Sequence, residues 1–416
     1  MKIGIITQWY SPERAPNPSA TAVQLAERGH EVKVLTGFPN YPTGRVYPGY
    51  RQRWSHREVD GSVQVRRVPL YPSHDTNGIK RAANFLSFAS SSTAAAGFLN
   101  DCDVVYVWAT PMTAATAAAA GHALRGCPYV LHIQDLWPDS VLESGMAGGN
   151  VVHTLLSSTI SGALRYLYQR AAHLVAVAPS MRQTLVDRGV PAEKVSVLYN
   201  WCGDESPAPP TFDLAVRDRL GRPGRTLAVF AGNVGQMQDV ETIVRAAALC
   251  QHDSPLDVAI VGSGTADAAV RRLAAALCTT NIRFFDRVDS AEMPSIYAAS
   301  DYQLVTLKDR PVSRGTIPSK LAAALSAGCP IITTVPGDVA KMCAEGGFGF
   351  SCEPESPRAL ADTFRIACAE DEPARLRKRG RAWDYYWMNM SMAAAIESLE
   401  AILADAVRSK VPAGQS

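Results

Sequence analysis

The segment Arg314-Gly-Thr-Ile-Pro-Ser-Lys-Leu-Ala-Ala-Ala-Leu-Ser-Ala-Gly-Cys-Pro-Ile-Ile-Thr-Thr334 places a Ser-Lys pair where a helix is predicted to begin, shortly before a buried strand. The start of a helix exposes unpaired backbone N–H groups and a partial positive charge. Lys320 adds a full positive charge, so this position suits a diphosphate. The alternative is an amphipathic helix with an incidental lysine, and these residues alone favour neither.

Short apolar segments alternate with helical patterns along the whole chain, which is typical of parallel α/β proteins. In the first half, strands are predicted at residues 2–7, 31–36, 63–68, 103–108, 129–133 and 174–178. The pattern then restarts, with strands predicted at residues 225–231, 256–261, 282–285, 302–305 and 330–334. The sequence therefore predicts two Rossmann-like units.

The length of 416 residues exceeds what a single hydrophobic core usually covers. A Pro-rich break at residues 200–210 separates the two patterns. We predict an N-terminal domain over residues 1–200, a C-terminal domain over 201–385, and a segment 386–416 made of a helix and a polar tail. That helix follows the aromatic cluster 383–387 and is expected to pack across both domains.

The composition is that of an ordinary globular protein, with 47% hydrophobic and 19% charged residues. Nine scattered cysteines without a Cys-x-x-Cys motif argue against a disulfide framework and against a zinc site. The apolar stretch 2–7 is too short for a signal peptide, and no apolar run reaches the length needed to cross a membrane. We expect a cytoplasmic protein.

The net charge of +2 is unevenly distributed, because residues 1–200 carry 18 Lys and Arg against 13 Asp and Glu. A mildly basic N-terminal half could meet an anionic acceptor or a membrane surface, although scattered solvated arginines give the same total. The segment 80–88 could lie against a bilayer, but a packed helix is the favoured interpretation. No basic stripe with interleaved aromatic residues is present, so nucleic acid is not expected as a partner.

Two glycine-containing turns follow predicted strands of the C-terminal half. Gly232-Asn-Val-Gly235 closes the first strand, and Gly262-Ser-Gly264 closes the second. Ligands of open α/β sheets bind beyond the carboxyl ends of the strands, and two facing sheets form a cleft there. Each turn alone is better explained as an ordinary strand-to-helix connection, but the two turns together with Ser319 and Lys320 form a convergent set that favours a ligand site. Neither is a full dinucleotide or P-loop fingerprint, which argues against a nicotinamide enzyme or a P-loop ATPase.

Polar residues also follow a strand of the N-terminal half, where Asp135, Trp137 and Asp139 come directly after residues 129–133. Asp135 is predicted to point into the cleft or, alternatively, to cap the next helix. His132 lies within the strand and is interpreted as a core residue.

The proline-rich loop 10–19 carries Glu13 and Arg14, which are plausible ligands. A surface loop explains both residues equally well.

Five motifs stand in a fixed order over nearly the whole chain. They are residues 29–44, Asp135-Leu-Trp-Pro138, Tyr199-Asn-Trp201, Gly232-Asn-Val-Gly235 with Gln238, and Ile317-Pro-Ser-Lys320 leading to Ala327-Gly328. This order resembles the retaining glycosyltransferases of family four, particularly the bacterial branch that acts in O-antigen amino-sugar transfer. The resemblance implies the GT-B fold, an α/β architecture of two facing Rossmann-like domains with a C-terminal helix crossing back to the N-terminal domain.

The resemblance also implies a division of labour between the domains. The C-terminal domain would hold a GDP- or UDP-sugar, and the N-terminal domain an acceptor, with retention of the anomeric configuration and without a metal or other cofactor. The implied donor residues are Gly232, Asn233, Gln238, Gly262, Arg287, Arg314, Ser319 and Lys320. The implied acceptor residues are Glu13, Arg14, Asp135, Trp137 and Asp139, and the catalytic residues are Lys320 and Asp135.

The chain departs from the family pattern at two glutamates, of which the second grips the ribose; Gly315 and Ala323 occupy these positions. Neither side chain can accept a hydroxyl hydrogen bond, so ribose recognition must come from elsewhere. Asn233 and Gln238 stand where the broader family has Arg and Lys. Gln134 replaces the His of a His-Asp pair.

Several acceptors fit the resemblance. Arg outnumbers Lys 32 to 9, which suggests a GC-rich genome, and on this ground a small-molecule acceptor from antibiotic biosynthesis is favoured. A polyprenyl-linked sugar in O-antigen or cell-envelope polysaccharide assembly is the alternative. A sugar-nucleotide epimerase and a non-catalytic sugar-binding protein, the latter suggested by the missing glutamates, also remain open.

Overall fold

The computed structural model describes residues 1–13, 15–54, 56–75, 77–137, 150–203 and 211–409, with the backbone alone for residues 150–159 and 312. The chain divides into two compact units. The first comprises Met1–Tyr199 and Ala395–Ser416, and the second comprises Asn200–Ala394. The C-terminal helix thus belongs with the N-terminal unit, as the predicted architecture requires.

The first unit is built on an eight-stranded sheet. Its strands are β1 (Lys2–Ile6), β2 (Glu31–Gly37), β3 (His56–Asp60), β4 (Val63–Val68), β5 (Val104–Ala109), β6 (Tyr129–Ile133), β7 (His173–Ala176) and β8 (Val195–Val197). Their spatial order is β3-β4-β2-β1-β5-β6-β7-β8, and every pair except β3 with β4 is parallel. The helices are α1 (Pro16–Glu27), α2 (Gly78–Ala94), α3 (Ala115–Arg125), α4 (Asn150–Arg170) and α5 (Pro179–Asp187).

The second unit contains a six-stranded, wholly parallel sheet. Its strands are β9 (Thr226–Ala231), β10 (Leu256–Val261), β11 (Ile282–Phe285), β12 (Tyr302–Val305), β13 (Ile331–Thr333) and β14 (Gly349–Ser351), in the order β11-β10-β9-β12-β13-β14. The helices are α6 (Leu214–Leu220), α7 (Val240–Cys250), α8 (Asp267–Ala276), α9 (Met293–Ala299), α10 (Ser319–Ser326), α11 (Asp338–Gly346), α12 (Pro357–Ala369) and α13 (Glu372–Asn389). The aromatic cluster 383–387 lies on α13, within this unit.

The last helix, α14 (Met392–Arg408), packs on the first unit through an apolar stripe that includes Ile396, Leu399 and Leu403, all buried. Glu400 on the same helix accepts hydrogen bonds from Arg28 and His30, at 3.0 and 2.9 Å. Among the described helices, none is both long enough and apolar enough to cross a bilayer.

The central strands are rich in apolar residues because helices cover both faces of a parallel sheet. All six residues of β5, of β9 and of β10 are buried. Three strands were not predicted. Strand β3 reads His-Arg-Glu-Val-Asp on an exposed antiparallel edge, so it lacks the apolar signal of a buried strand. Strands β8 and β14 have only three residues each, too few for a period to emerge.

Each sheet has a point at which its strand order reverses. In the first sheet it lies between β1 and β5, and in the second between β9 and β12. Loops diverge to opposite sides of the sheet at such a point, which opens a crevice beyond the carboxyl ends of the strands. The candidate residues of both units follow these strand ends.

Candidate functional site

The glycine turns after β9 and β10 lie against each other at the carboxyl edge of the second sheet. Gly232 and Gly262 have φ angles of +136° and +137°, which disfavour any residue with a side chain. A Cβ atom on Gly262 would overlap the carbonyl oxygen of Gly232. The two positions therefore require glycine, and the edge between them presents bare backbone.

The residues after Gly232 continue this edge. The N–H of Val234 donates to the carbonyl oxygen of Ser263 at 3.0 Å, which joins the two turns. The side-chain amide of Asn233 donates to Gln238 Oε1 at 3.4 Å. Four predicted donor residues, Gly232, Asn233, Gln238 and Gly262, are thus brought together.

Lys320 stands beside this backbone edge, at the start of α10. A Cβ atom on Gly232 would lie 3.7 Å from Lys320 Nζ, and Nζ itself lies 3.8 Å from the centroid of the Phe230 ring. The Nζ atom is buried and, among the described residues, has no hydrogen-bond partner. Burial lowers the pKa of Lys320 to about 7. An unpartnered buried cation beside open backbone is an arrangement that an anion would complete.

Helix α10 contributes its own positive end to the same place. Ser319 is its first residue and is exposed, and within the described chain no side chain caps the helix start. No acidic residue lies in the first turn. The free N–H groups and the helix dipole therefore add to the charge of Lys320.

The two predicted arginines lie in loops around this edge. Arg287 is exposed and follows β11, whose Phe285 carbonyl oxygen accepts the N–H of Gly262 at 3.0 Å. Arg314 is exposed and pairs with Asp309 at 3.3 Å. Such an exposed ion pair is weak, so Arg314 can exchange Asp309 for another anion at little cost.

The positions that carry glutamate in the wider family are both half-buried. Gly315 ends the short 3₁₀ helix Pro311–Gly315, and Ala323 lies on α10, one turn after Lys320. Neither offers a carboxylate, so a nucleoside would have to be recognised by other groups, including the main chain around Gly262.

The candidate acceptor residues of the first unit follow β6. Asp135 is an exposed residue, yet desolvation by the surrounding protein raises its pKa, against the lowering effect of the Arg81 charge. The ring of Trp137 lies 6.2 Å from that of Phe85 on α2. Asp139 and Arg14 lie outside the described residues, as does the segment that would show whether Asp135 caps a helix.

His132 is a core residue, as predicted. It is 1% exposed, and its Nδ1 pairs with the hydroxyl of Tyr106 at 2.5 Å. Burial lowers its pKa to about 3, so the ring is neutral near pH 7.

Glu13 is 6% exposed, so the interpretation of this residue as part of a surface loop is wrong. Its Oε1 accepts the N–H groups of Asn40 and Tyr41 at 2.7 and 2.8 Å, and its Oε2 accepts that of Tyr10 at 3.1 Å. Burial raises the pKa of Glu13, whereas these hydrogen bonds lower it. Glu13 ties the loop after β1 to the loop after β2.

Sequence reasoning missed two residues that shape these sites. Phe230 supports Lys320, and its only signal was an aromatic residue two positions before Gly232. Arg67 is 1% exposed and donates to the carbonyl oxygens of Gly37 and Ser11 and to Glu58. Nothing in the sequence distinguishes it from the neighbouring Arg66.

The chain matches two family models. One, described as a glycosyl transferase 4-like domain, covers residues 19–201, and the other, glycosyl transferases group 1, covers residues 215–383.

A putative colanic acid biosynthesis glycosyl transferase, WcaI of Escherichia coli, is 30% identical over 384 residues, 88% of this chain and 92% of the relative. The N-acetyl-alpha-D-glucosaminyl L-malate synthase of Bacillus anthracis is 22% identical over 390 residues, 92% of each chain. The crystal structure of Anabaena HepE in complex with UDP and glucose aligns with a TM-score of 0.63 at 15% identity, covering 97% of this chain and 99% of HepE. The similarity to HepE shows that the two chains share a fold.

Proposed function

Because this chain belongs to the family-four glycosyltransferases of the GT-B fold, we propose that it transfers the sugar of a nucleoside diphosphate sugar to a saccharide acceptor in the assembly of a bacterial polysaccharide, with release of the nucleoside diphosphate. One observation carries the donor half of this proposal. The Nζ atom of Lys320 is buried and unpartnered among the described residues, beside the bare backbone of Gly232 and at the start of α10.

The donor would be held by the second unit. Its diphosphate would lie against Gly232, Asn233 and Ser319, with Gln238 beside Asn233 and with Arg314 turning from Asp309 to add charge. The nucleoside would lie near Gly262 and the main chain around Arg287. HepE, which shares this fold, was crystallised with UDP and glucose, and this favours UDP over GDP as the nucleotide.

Lys320 would act on the leaving group. With a pKa of about 7, roughly half of the lysines are uncharged at neutral pH in the free protein. A bound diphosphate would raise that pKa, because a nearby negative charge favours the ammonium form. The restored charge and the α10 dipole would then stabilise the negative charge that grows on the departing phosphate, without a metal ion.

Retention of configuration would follow if the departing phosphate oxygen takes the proton of the acceptor hydroxyl on the same face of the sugar. Asp135 would orient the acceptor rather than act as a strong base, since even a raised carboxyl pKa leaves it a weak proton acceptor near pH 7. Trp137 would form one wall beside it.

The acceptor class is supported by the relatives. WcaI is named for colanic acid biosynthesis, and colanic acid is a polysaccharide. A second candidate is a small-molecule acceptor, such as an intermediate of antibiotic biosynthesis. It is favoured by the relative named for a transfer to L-malate, which aligns over 92% of its length.

Isothermal titration with UDP and with GDP tests the donor site. We expect one nucleotide to bind and the Lys320→Ala variant to bind it at least tenfold more weakly. Lys341→Ala is the matched control, because Lys341 is an exposed lysine of the same unit. Equal nucleotide affinity of the Lys320→Ala variant and the wild type would contradict the assignment of Lys320 to a donor site.

Two measurements on the product test the finer claims. The anomeric coupling constant in the proton NMR spectrum should show the configuration of the donor sugar unchanged. Turnover should persist in excess EDTA. An inverted product, or complete loss of turnover on chelation, would contradict retention or metal independence respectively.

A further inference from the structure

Three aromatic residues follow adjacent strands of the first sheet. Trp9 comes after β1, Tyr41 after β2 and His74 after β4. These strands are neighbours and run parallel, so the three residues meet at one edge of the sheet. The ring centroids of Trp9 and Tyr41 lie 5.2 Å apart, with an angle of 41° between the ring planes. Those of Tyr41 and His74 lie 5.1 Å apart, with an interplanar angle of 90°. We call these residues the aromatic row.

The aromatic row presents ring surface to solvent. Trp9 and Tyr41 are half-buried and His74 is exposed, whereas Tyr10 and Phe38, which are close in sequence, are fully buried. Core packing therefore accounts for the neighbours but leaves part of the row uncovered.

The buried carboxylate of Glu13 holds the aromatic row in place. The carboxylate of Glu13 accepts the N–H of Tyr41 at 2.8 Å, deep inside the unit. Burial of a carboxylate is unfavourable unless hydrogen bonds compensate it, and here they fix the loop that carries Tyr41.

A second constraint joins the loops of Tyr41 and His74. Gly44 has a φ of +68°, and a Cβ atom there would lie 2.5 Å from the backbone nitrogen of His74. Only glycine permits this approach, which brings the two rings into contact.

Helix α2 makes side-chain contacts both to the residue before Trp9 and to the loop that carries Trp137. Gln8, next to Trp9, donates to the side chain of Asn84 on α2 at 2.6 Å. The next residue, Phe85, pairs with Trp137, two positions after Asp135. The first unit thus carries partly exposed aromatic residues after β1, β2 and β4 and a carboxylate, that of Asp135, after β6.

This combination matches the chemistry of a sugar ring. One face of a pyranose is lined by C–H groups that pack against the negative face of an aromatic ring, and its hydroxyls donate to carboxylates.

We propose that the aromatic row is an acceptor subsite that stacks against a pyranose ring. The inference rests on the proposed function and favours its saccharide acceptor over the small-molecule candidate.

Saturation-transfer difference NMR tests the subsite. The probes are the methyl pyranosides of glucose, galactose, mannose and N-acetylglucosamine, each added to the full chain with saturating UDP. We expect transfer to the ring C–H protons of at least one probe. Trp9→Ala and Tyr41→Ala should each reduce the signal at least fivefold, and Tyr41→Phe should restore it because the ring is kept. Tyr166→Ala is the control, since Tyr166 is an exposed tyrosine on α4 of the same unit.

The outcomes separate this inference from the proposed function. Two results would overturn the proposal that the aromatic row is an acceptor subsite. One is a signal that is unchanged in both alanine variants, and the other is the absence of signal from every probe while UDP binds. Failure of UDP to bind would contradict the donor site. The signals of wild type and the alanine variants would then be compared without nucleotide, and equal signals would still overturn the stacking proposal. If circular dichroism shows that either alanine variant is unfolded, His74→Ala carries the test, because His74 is exposed and its loss should still reduce the signal at least twofold.

Discussion

The ammonium group of Lys320 rests on the ring of Phe230, 3.8 Å from the centroid, in place of a carboxylate. A carboxylate there would fix the positive charge and compete with an incoming phosphate. An aromatic face attracts an ammonium group more weakly than a carboxylate does; the cation–π attraction is worth about 2 kcal/mol at a desolvated site. Lys320 is thereby kept in position without a counter-ion that would compete with the phosphate.

Replacement of Phe230 by leucine should therefore weaken nucleotide binding about three- to tenfold, because the side-chain volume is largely kept but the ring face is lost. Isothermal titration measures the affinity. The control is Phe348→Leu, another fully buried phenylalanine of the second unit, which should lose stability without a change in affinity. A loss of affinity of the same size in both variants would contradict a specific role for the Phe230 ring.

The lowered pKa of Lys320 predicts proton uptake on nucleotide binding. Below about pH 7 the lysine is charged before and after binding, so binding takes up no proton at this group. Above that pH the free lysine is mostly neutral, and a bound diphosphate restores its charge, so affinity should fall as the pH rises from 7 to 9. Titrations at pH 8 in buffers of different ionisation enthalpy should show uptake of close to one proton.

The Lys320→Met variant provides the comparison for that experiment, because it retains the length of the side chain but cannot be protonated. It should bind UDP weakly, with no proton uptake and little dependence on pH. Uptake equal to that of wild type would show that another group titrates.

Replacement of Arg67 by methionine should destabilise the first unit by about 3 kcal/mol, since it removes the ion pair with Glu58 and leaves the carbonyl oxygens of Gly37 and Ser11 without this donor. The free energy of unfolding in urea measures the change. Arg53→Met, at an exposed arginine before β3, should change it by less than about 0.5 kcal/mol. A small effect of Arg67→Met would mean that water replaces the guanidinium.

Replacement of Asp135 by asparagine should reduce turnover at least tenfold while the affinity for UDP stays within twofold of wild type. The reason is that Asp135 lies in the first unit, whereas the proposed nucleotide site is built from the second. Turnover with a saturating acceptor, together with nucleotide titration, separates the two effects. Unchanged turnover would assign Asp135 a structural role only.

The central strands could be predicted because burial on both faces selects mainly apolar residues along the strand. Strands β6, β10 and β12 have the predicted bounds, and so does the half-buried edge strand β11. Edge strand β3 could not be predicted, since none of its five residues is buried and its pairing depends on β4. Strands could thus be predicted from the sequence where most of their residues are apolar and buried.

The candidate donor site was predictable in part for a different reason. Positive φ angles at Gly232 and Gly262 are a local requirement, and glycine signals them in the sequence. The support of Lys320 by Phe230, and the use of Glu13 to hold Tyr41, depend on atoms that come together only in three dimensions. No spacing of residues along the chain encodes those contacts.

Helix α14 belongs to the first unit although the whole second unit precedes it in the chain. During synthesis, β1 to β8 leave the ribosome before this helix. Arg28 and His30 can therefore bind Glu400 only after residues 200–394 have been synthesised. The second unit, by contrast, is continuous in sequence and has all its strands available at once. Completion of the first unit is therefore a late event in biogenesis, and a chain released early would expose the surface that Ile396, Leu399 and Leu403 normally cover.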